Sequence, residues 1–152
     1  MGRTVKRFQF QLEPVLDYKQ RALEGLMVEL DQAQSRVMSQ EYKRDEAVER
    51  LAAYDAEFAE KRAEGFTNVE ALEYQAGQQV LEQRIRREQK LLEQRQRELE
   101  QKRQQVVEAR QETHAIEKLK ELRRSEYDAA AAKEEEKALD DLTAARRSRA
   151  AG

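Results

Sequence analysis

Apolar residues recur through the first part of this chain in alternating steps of four and three: Leu12, Leu16, Leu23, Leu26, Leu30, Ala33, Val37, Ala47, Leu51, Tyr54 and Phe58. Only Lys19, Gln40 and Arg44 interrupt the grid with polar side chains. A helix with this spacing carries one narrow apolar stripe, which a second helix must cover. The composition leaves little choice. Charged residues make up 39% of the 152 positions, against about 25% in an ordinary domain, so the chain lacks the apolar material for a spherical core. Disorder is the alternative for so polar a chain, yet one proline and five glycines are far fewer than disordered chains carry.

Local signals divide the chain into two helices. Pro14, the only proline, suits a first helical turn, where its missing N–H breaks no intrahelical bond. The seam stops at Gly65, which fits the left-handed residue that closes many helices. Thr67 and Glu70 then match a capping box. The second seam runs through Tyr74, Leu81, Ile85, Leu92, Leu99, Val106, Ala109 and Ile116, interrupted by Gln78, Glu88, Arg95, Lys102 and Thr113. The expected fold is all-α, a long two-helix antiparallel coiled coil (a helical hairpin) with an overhanging C-terminal helical extension. It reads as one elongated domain over residues 1–152. Helix 1 spans about 12–63, the turn about 64–67 and helix 2 about 68–145, with frayed termini. Rising at 1.5 Å per residue, the paired part forms a rod of about 75 to 80 Å.

A short connection makes the helices antiparallel neighbours. The two grids then face Phe58 with Tyr74, Leu51 with Leu81, Ala47 with Ile85, Ala33 with Leu99, Leu26 with Val106, Leu23 with Ala109 and Leu16 with Ile116. The same register sets Arg44 opposite Glu88. The polar stretch 83–105 predicts shallow packing at mid-hairpin. Val15, Ala22, Met27, Leu119 and Leu122 beside Phe8, Phe10 and Leu12 predict a broader, more stable base.

No catalytic constellation is present. His114 is the single histidine and there is no cysteine, so neither the usual zinc site nor a nucleophilic dyad can form, and His114 reads as a helix-surface or seam-edge residue. Glu134, Glu135, Glu136, Asp140 and Asp141 read as a solvated face, and no glycine-rich phosphate loop occurs. No metal, cofactor, small-molecule substrate or enzymatic activity is expected. The net charge of −2 argues against nucleic acid as a partner. No apolar run approaches the roughly 20 residues of a membrane span, so the chain reads as soluble and cytosolic. Two features remain for partners: basic residues at both chain ends, and the aromatic cluster of Tyr54, Phe58, Phe66 and Tyr74 around the turn.

The opening Phe8, Phe10, Leu12, Pro14 and Leu16, leading into an uninterrupted heptad helix, resembles the start of FliJ-type flagellar export proteins. Gly65-Phe66-Thr67-Asn68-Val69 before Tyr74-Gln75 is similar to that family's turn. The stretch Glu117-Lys118-Leu119, then Tyr127 and Leu139-Asp140-Asp141, is similar to its closing pattern. Gly77 departs from the bulky residue often found three positions after the family tyrosine. The resemblance implies a non-enzymatic stalk of the flagellar type III export apparatus, like the stalk subunit of rotary ATPases. Such a stalk inserts its paired termini into the export ATPase hexamer, promotes assembly and ATP hydrolysis, contacts the transmembrane export gate and engages export chaperones. It works in the cytoplasm at the inner face of the cell membrane, touching the membrane only peripherally through the gate. Carried onto this sequence, the ring-facing residues are Arg3, Lys6, Arg7, Phe8, Phe10, Arg146, Arg147 and Arg149. The gate-facing residues are Leu51, Tyr54, Phe58, Tyr74 and Leu81. A general coiled-coil tether or a holdase-like chaperone is the alternative.

Overall fold

The computed structural model describes residues 7–151, which form a helical hairpin of α1 (Glu13–Glu64) and α2 (Asn68–Ala151), with no strand among them. Helix α1 opens just before Pro14. The Leu16 N–H donates to the Leu12 carbonyl at 2.8 Å and the Glu13 N–H to the Phe10 carbonyl at 3.1 Å. It closes at Gly65, whose φ of 100° is cheap only for a residue without a Cβ. The Thr67 hydroxyl then accepts the Glu70 N–H at 3.2 Å, and its carbonyl accepts the Ala71 N–H at 3.0 Å. One half of the expected capping box is thus in place. Helix α2 outruns the expected end near residue 145, because the last turns are alanine and arginine, strong helix formers, with no glycine before Gly152.

The chain packs as two units. The turn unit comprises Glu24–Val107; the terminal unit comprises the residues up to Leu23 together with those from Glu108 onward. In the turn unit every seam position of α1 from Leu26 to Phe58, and of α2 from Tyr74 to Val106, is buried or half-buried, the polar positions included. Phe58 stacks on Tyr74 with ring centroids 3.6 Å apart, and Lys102 pairs with Glu29 at 2.9 Å, both in the register read from the sequence. In the terminal unit Lys19 meets Glu112 at 2.7 Å and Lys120 meets Glu13 at 2.8 Å, again from flanking positions of the facing helices.

Three expectations are corrected. The stretch 83–105 is not the shallow part: Leu92 is 1% exposed and joins Leu99, Ala33 and Val37 in a buried apolar cluster. Small side chains on α1 leave room there for leucines from α2, so few apolar residues suffice. The base is not broad either. Leu12, Val15, Met27 and Leu122 are exposed, since two helices cover one stripe each and leave widened edges in water. Finally, Arg44, although opposite Glu88 in the register, forms no pair with it. Gln40, 3% exposed, donates to both the carboxylate and the backbone carbonyl of Glu88. Arg44 turns outward to Asp45 at 3.0 Å and Gln89 at 3.4 Å. A neutral amide fits the narrow seam, whereas a guanidinium keeps its charge in water and lays only its stem along the seam.

Truncating Leu92 to Ala should cost about 2 kcal/mol or more, the lower end for a buried leucine. Leu72→Ala, at a solvent-facing position of the same helix, should change stability by less than about 0.5 kcal/mol. Urea denaturation followed by circular dichroism separates the two.

Candidate partner-binding surfaces

The terminal unit offers an aromatic and cationic surface. Residues ahead of α1 run beside α2, where the Phe8 ring lies 5.6 Å from that of Tyr127. The Arg124 guanidinium stands over its face at 5.3 Å, a geometry in which the ring's negative face attracts the cation. An open groove of about 680 Å³ follows, lined chiefly by Phe8, Phe10, Leu12, Leu119, Arg7 and Arg123. Phe8 and Phe10 are half-buried and Arg7 is exposed. Arg146, Arg147 and Arg149 are exposed on the last turns of α2. Arg146 lies nineteen positions beyond Tyr127, about 28 Å of helix, so the two basic groups form separate patches rather than one. Arg3 and Lys6 lie outside the described residues.

Beside the turn, aromatic rings fill the last part of the seam. Tyr74 stacks on Tyr54, centroids 5.1 Å apart, and on Phe58, while Phe66 tilts onto Phe58 at 5.2 Å. The Tyr54 hydroxyl donates to the Tyr74 carbonyl at 3.2 Å, and its ring lies so close over Gly77 that a Cβ there would overlap it. The missing side chain at Gly77 is therefore the seat of Tyr54. The Tyr74 hydroxyl donates to Asp55, which also accepts Gln78 at 3.4 Å.

Leu51, Tyr54, Phe58, Tyr74 and Leu81 are all half-buried in this seam, so their inner faces are already occupied. The apolar side chains that remain open are others. Val69, Leu72 and Val80 are 64%, 66% and 60% exposed, and with Ala76 they form a stripe on the outer face of α2. Sequence reading that followed only the seam grid passed over them. Their own spacing of three, four and four was the available signal.

The family model described as Flagellar FliJ protein matches residues 8–152. This chain belongs to the FliJ family. No curated protein and no solved structure matches it. Membership in the FliJ family makes it a flagellar protein associated with export. Among its described residues no helix is long and apolar enough to cross a membrane.

The hydrogen bond to Asp55, then burial and the nearby carboxylate charge, pushes Tyr74 up from 10.0 to about 12. Ionisation would end the donation and place two negative charges side by side. The fold thus favours the neutral phenol: this contribution is intact below pH 10, where Tyr74 is neutral folded or unfolded, and is lost as pH rises towards about 12. In a spectrophotometric titration one of the five tyrosines should ionise last. Tyr74→Phe should remove that phase and flatten the loss of stability over the same range.

Proposed function

We propose that this FliJ-family protein is the stalk of the flagellar export ATPase. The base of the hairpin enters the ATPase hexamer, promotes its assembly and ATP hydrolysis, and the turn region reaches the export gate and export chaperones. The protein acts in the cytoplasm at the inner face of the membrane, with the gate as its only membrane contact, and it performs no catalysis itself. The observation that carries this reading is the Phe8 surface, where aromatic rings, a groove and several arginines converge on otherwise polar helices. Aromatic and arginine side chains that are partly open are the usual anchors of protein interfaces.

Arg7, Phe8 and Phe10 serve as the apolar and cationic anchor in the ring. Arg146, Arg147 and Arg149, a separate patch along α2, add a salt-sensitive contact at another level of it. At the turn, Tyr54, Phe58 and Tyr74, with Leu51 and Leu81, form the rigid bed beneath the gate contact. Val69, Leu72 and Val80 supply the surface that touches it. A stripe of exposed apolar side chains on a chain this polar is best accounted for by a partner.

Export ATPase from the same cell, titrated with this protein, should hydrolyse ATP faster, saturating near one hairpin per hexamer. Phe8→Ala should reduce the stimulation several-fold while leaving the melting curve of the hairpin nearly unchanged. Leu72→Glu with Val80→Glu should leave stimulation intact and abolish binding to the gate protein. A flat titration with a competent ATPase overturns the stalk.

A further inference from the structure

Opposite its seam, α2 carries a second periodic row within the turn unit. Gln83, Arg87, Lys90, Gln94, Arg97 and Gln101 follow one another in steps of four and three. All six are exposed. None is engaged in the hydrogen bonds or ion pairs of the structure, although carboxylates lie close by along the helix. All of those carboxylates but Glu93 are occupied elsewhere. Glu82 stands 3.8 Å from Arg86, Glu98 is 3.1 Å from Arg95, Glu100 is 3.7 Å from Arg103, and Glu88 accepts from Gln40. The row therefore presents three cations that form no ion pair with any of the described residues, with one unpaired acid, Glu93, beside them and amides whose donors and acceptors face water.

We infer that this row is a docking seam for one acidic helix of a partner protein. The inference does not rest on the export reading. Steps of four and three are the spacing at which a straight helix keeps one line of side chains against a second helix, and the row covers about 27 Å at 1.5 Å per residue. Carboxylates are the groups that arginine recognises best, with two parallel hydrogen bonds to one side chain. The glutamines pair equally well with Glu, Gln or Asn. The row is one side chain wide and has the exposed acids Glu93 and Glu100 along one edge. A flat anionic bilayer or a nucleic acid would press its charge against these acids, whereas a helix with spaced carboxylates places its charges between them. With no apolar anchor in the row, docking is reversible and weakens with salt.

The test uses the full chain and a synthetic helical peptide carrying glutamates at alternating steps of four and three. A second peptide has the same composition and scrambled spacing. Binding is measured by fluorescence anisotropy at low salt. The spaced peptide should bind about tenfold more tightly than the scrambled one. The triple variant Arg87→Glu, Lys90→Glu, Arg97→Glu should lose about tenfold or more, the scale of a few exposed charge pairs acting together. Arg36→Glu with Lys43→Glu and Arg50→Glu, three exposed cations of α1, should leave binding unchanged. If charge reversal disturbs the helix content, the same three positions changed to Gln should still lose several-fold. Equal binding of the two peptides, or equal loss in both sets of variants, overturns the seam and leaves only bulk charge. Tighter capture by phosphatidylglycerol vesicles or single-stranded DNA than by the spaced peptide, lost in the triple variant, overturns the helical occupant.

Discussion

Each helix of this protein has one stripe to bury and one neighbour to bury it against. Everything else follows from that scarcity. With so few apolar contacts available, the seam cannot waste positions, and it fills them by matching size across the helices. Ala33 and Val37 on α1 make space for Leu92 and Leu99 on α2, so the best-covered leucines sit where α2 is otherwise rich in charge. Polar residues that fall on the grid are kept there only when they bring a partner. Gln40 satisfies its amide on Glu88, and Thr113 turns its hydroxyl to the Ala109 carbonyl at 2.8 Å. Charged seam residues with long stems, such as Lys19 and Lys102, reach the rim and pair across it. The same economy leaves exposed stripes and an open terminal groove among the described residues.

Much of the fold was legible because heptad spacing, the glycine at the helix break and a threonine cap are local signals. The backbone at Gly65, the cap at Thr67 and the burial of the seam positions from Leu26 to Phe58 follow their spacing. What local pattern could not supply was competition. Arg44 and Gln40 are both polar grid residues near Glu88, and only the width of the seam decides that the amide enters and the guanidinium leaves. Likewise, counting apolar residues underrated 83–105, since depth of burial depends on the small residues of the other helix. The same counting overrated the base, where extra apolar residues lie beyond the reach of a single facing helix.

The candidate surfaces were readable to a lesser degree, for a related reason. Phe8 and Phe10 stood out by composition, but that Phe8 lies between Tyr127 and Arg124 depends on how the segment ahead of α1 returns along α2. The aromatic cluster at the turn was visible in sequence, yet its rings stack on one another, and the apolar side chains open beside it are Val69, Leu72 and Val80. A heptad grid assigns residues to the inside. It says nothing of the remaining positions, which is where a two-helix protein meets others.

Gly77 has a consequence for how the two helices find each other. Heptad seams look alike after a slide of seven residues, so a hairpin of this kind has several nearly equivalent alignments. The ring of Tyr54 needs a stretch of bare backbone, and α2 provides it at one place. Displaced by a heptad in either direction, Tyr54 would meet Glu70 or Arg84 instead, each with a side chain standing where the ring must lie. A single absent methyl group thus serves as an index mark, choosing one setting of a vernier whose other graduations look the same.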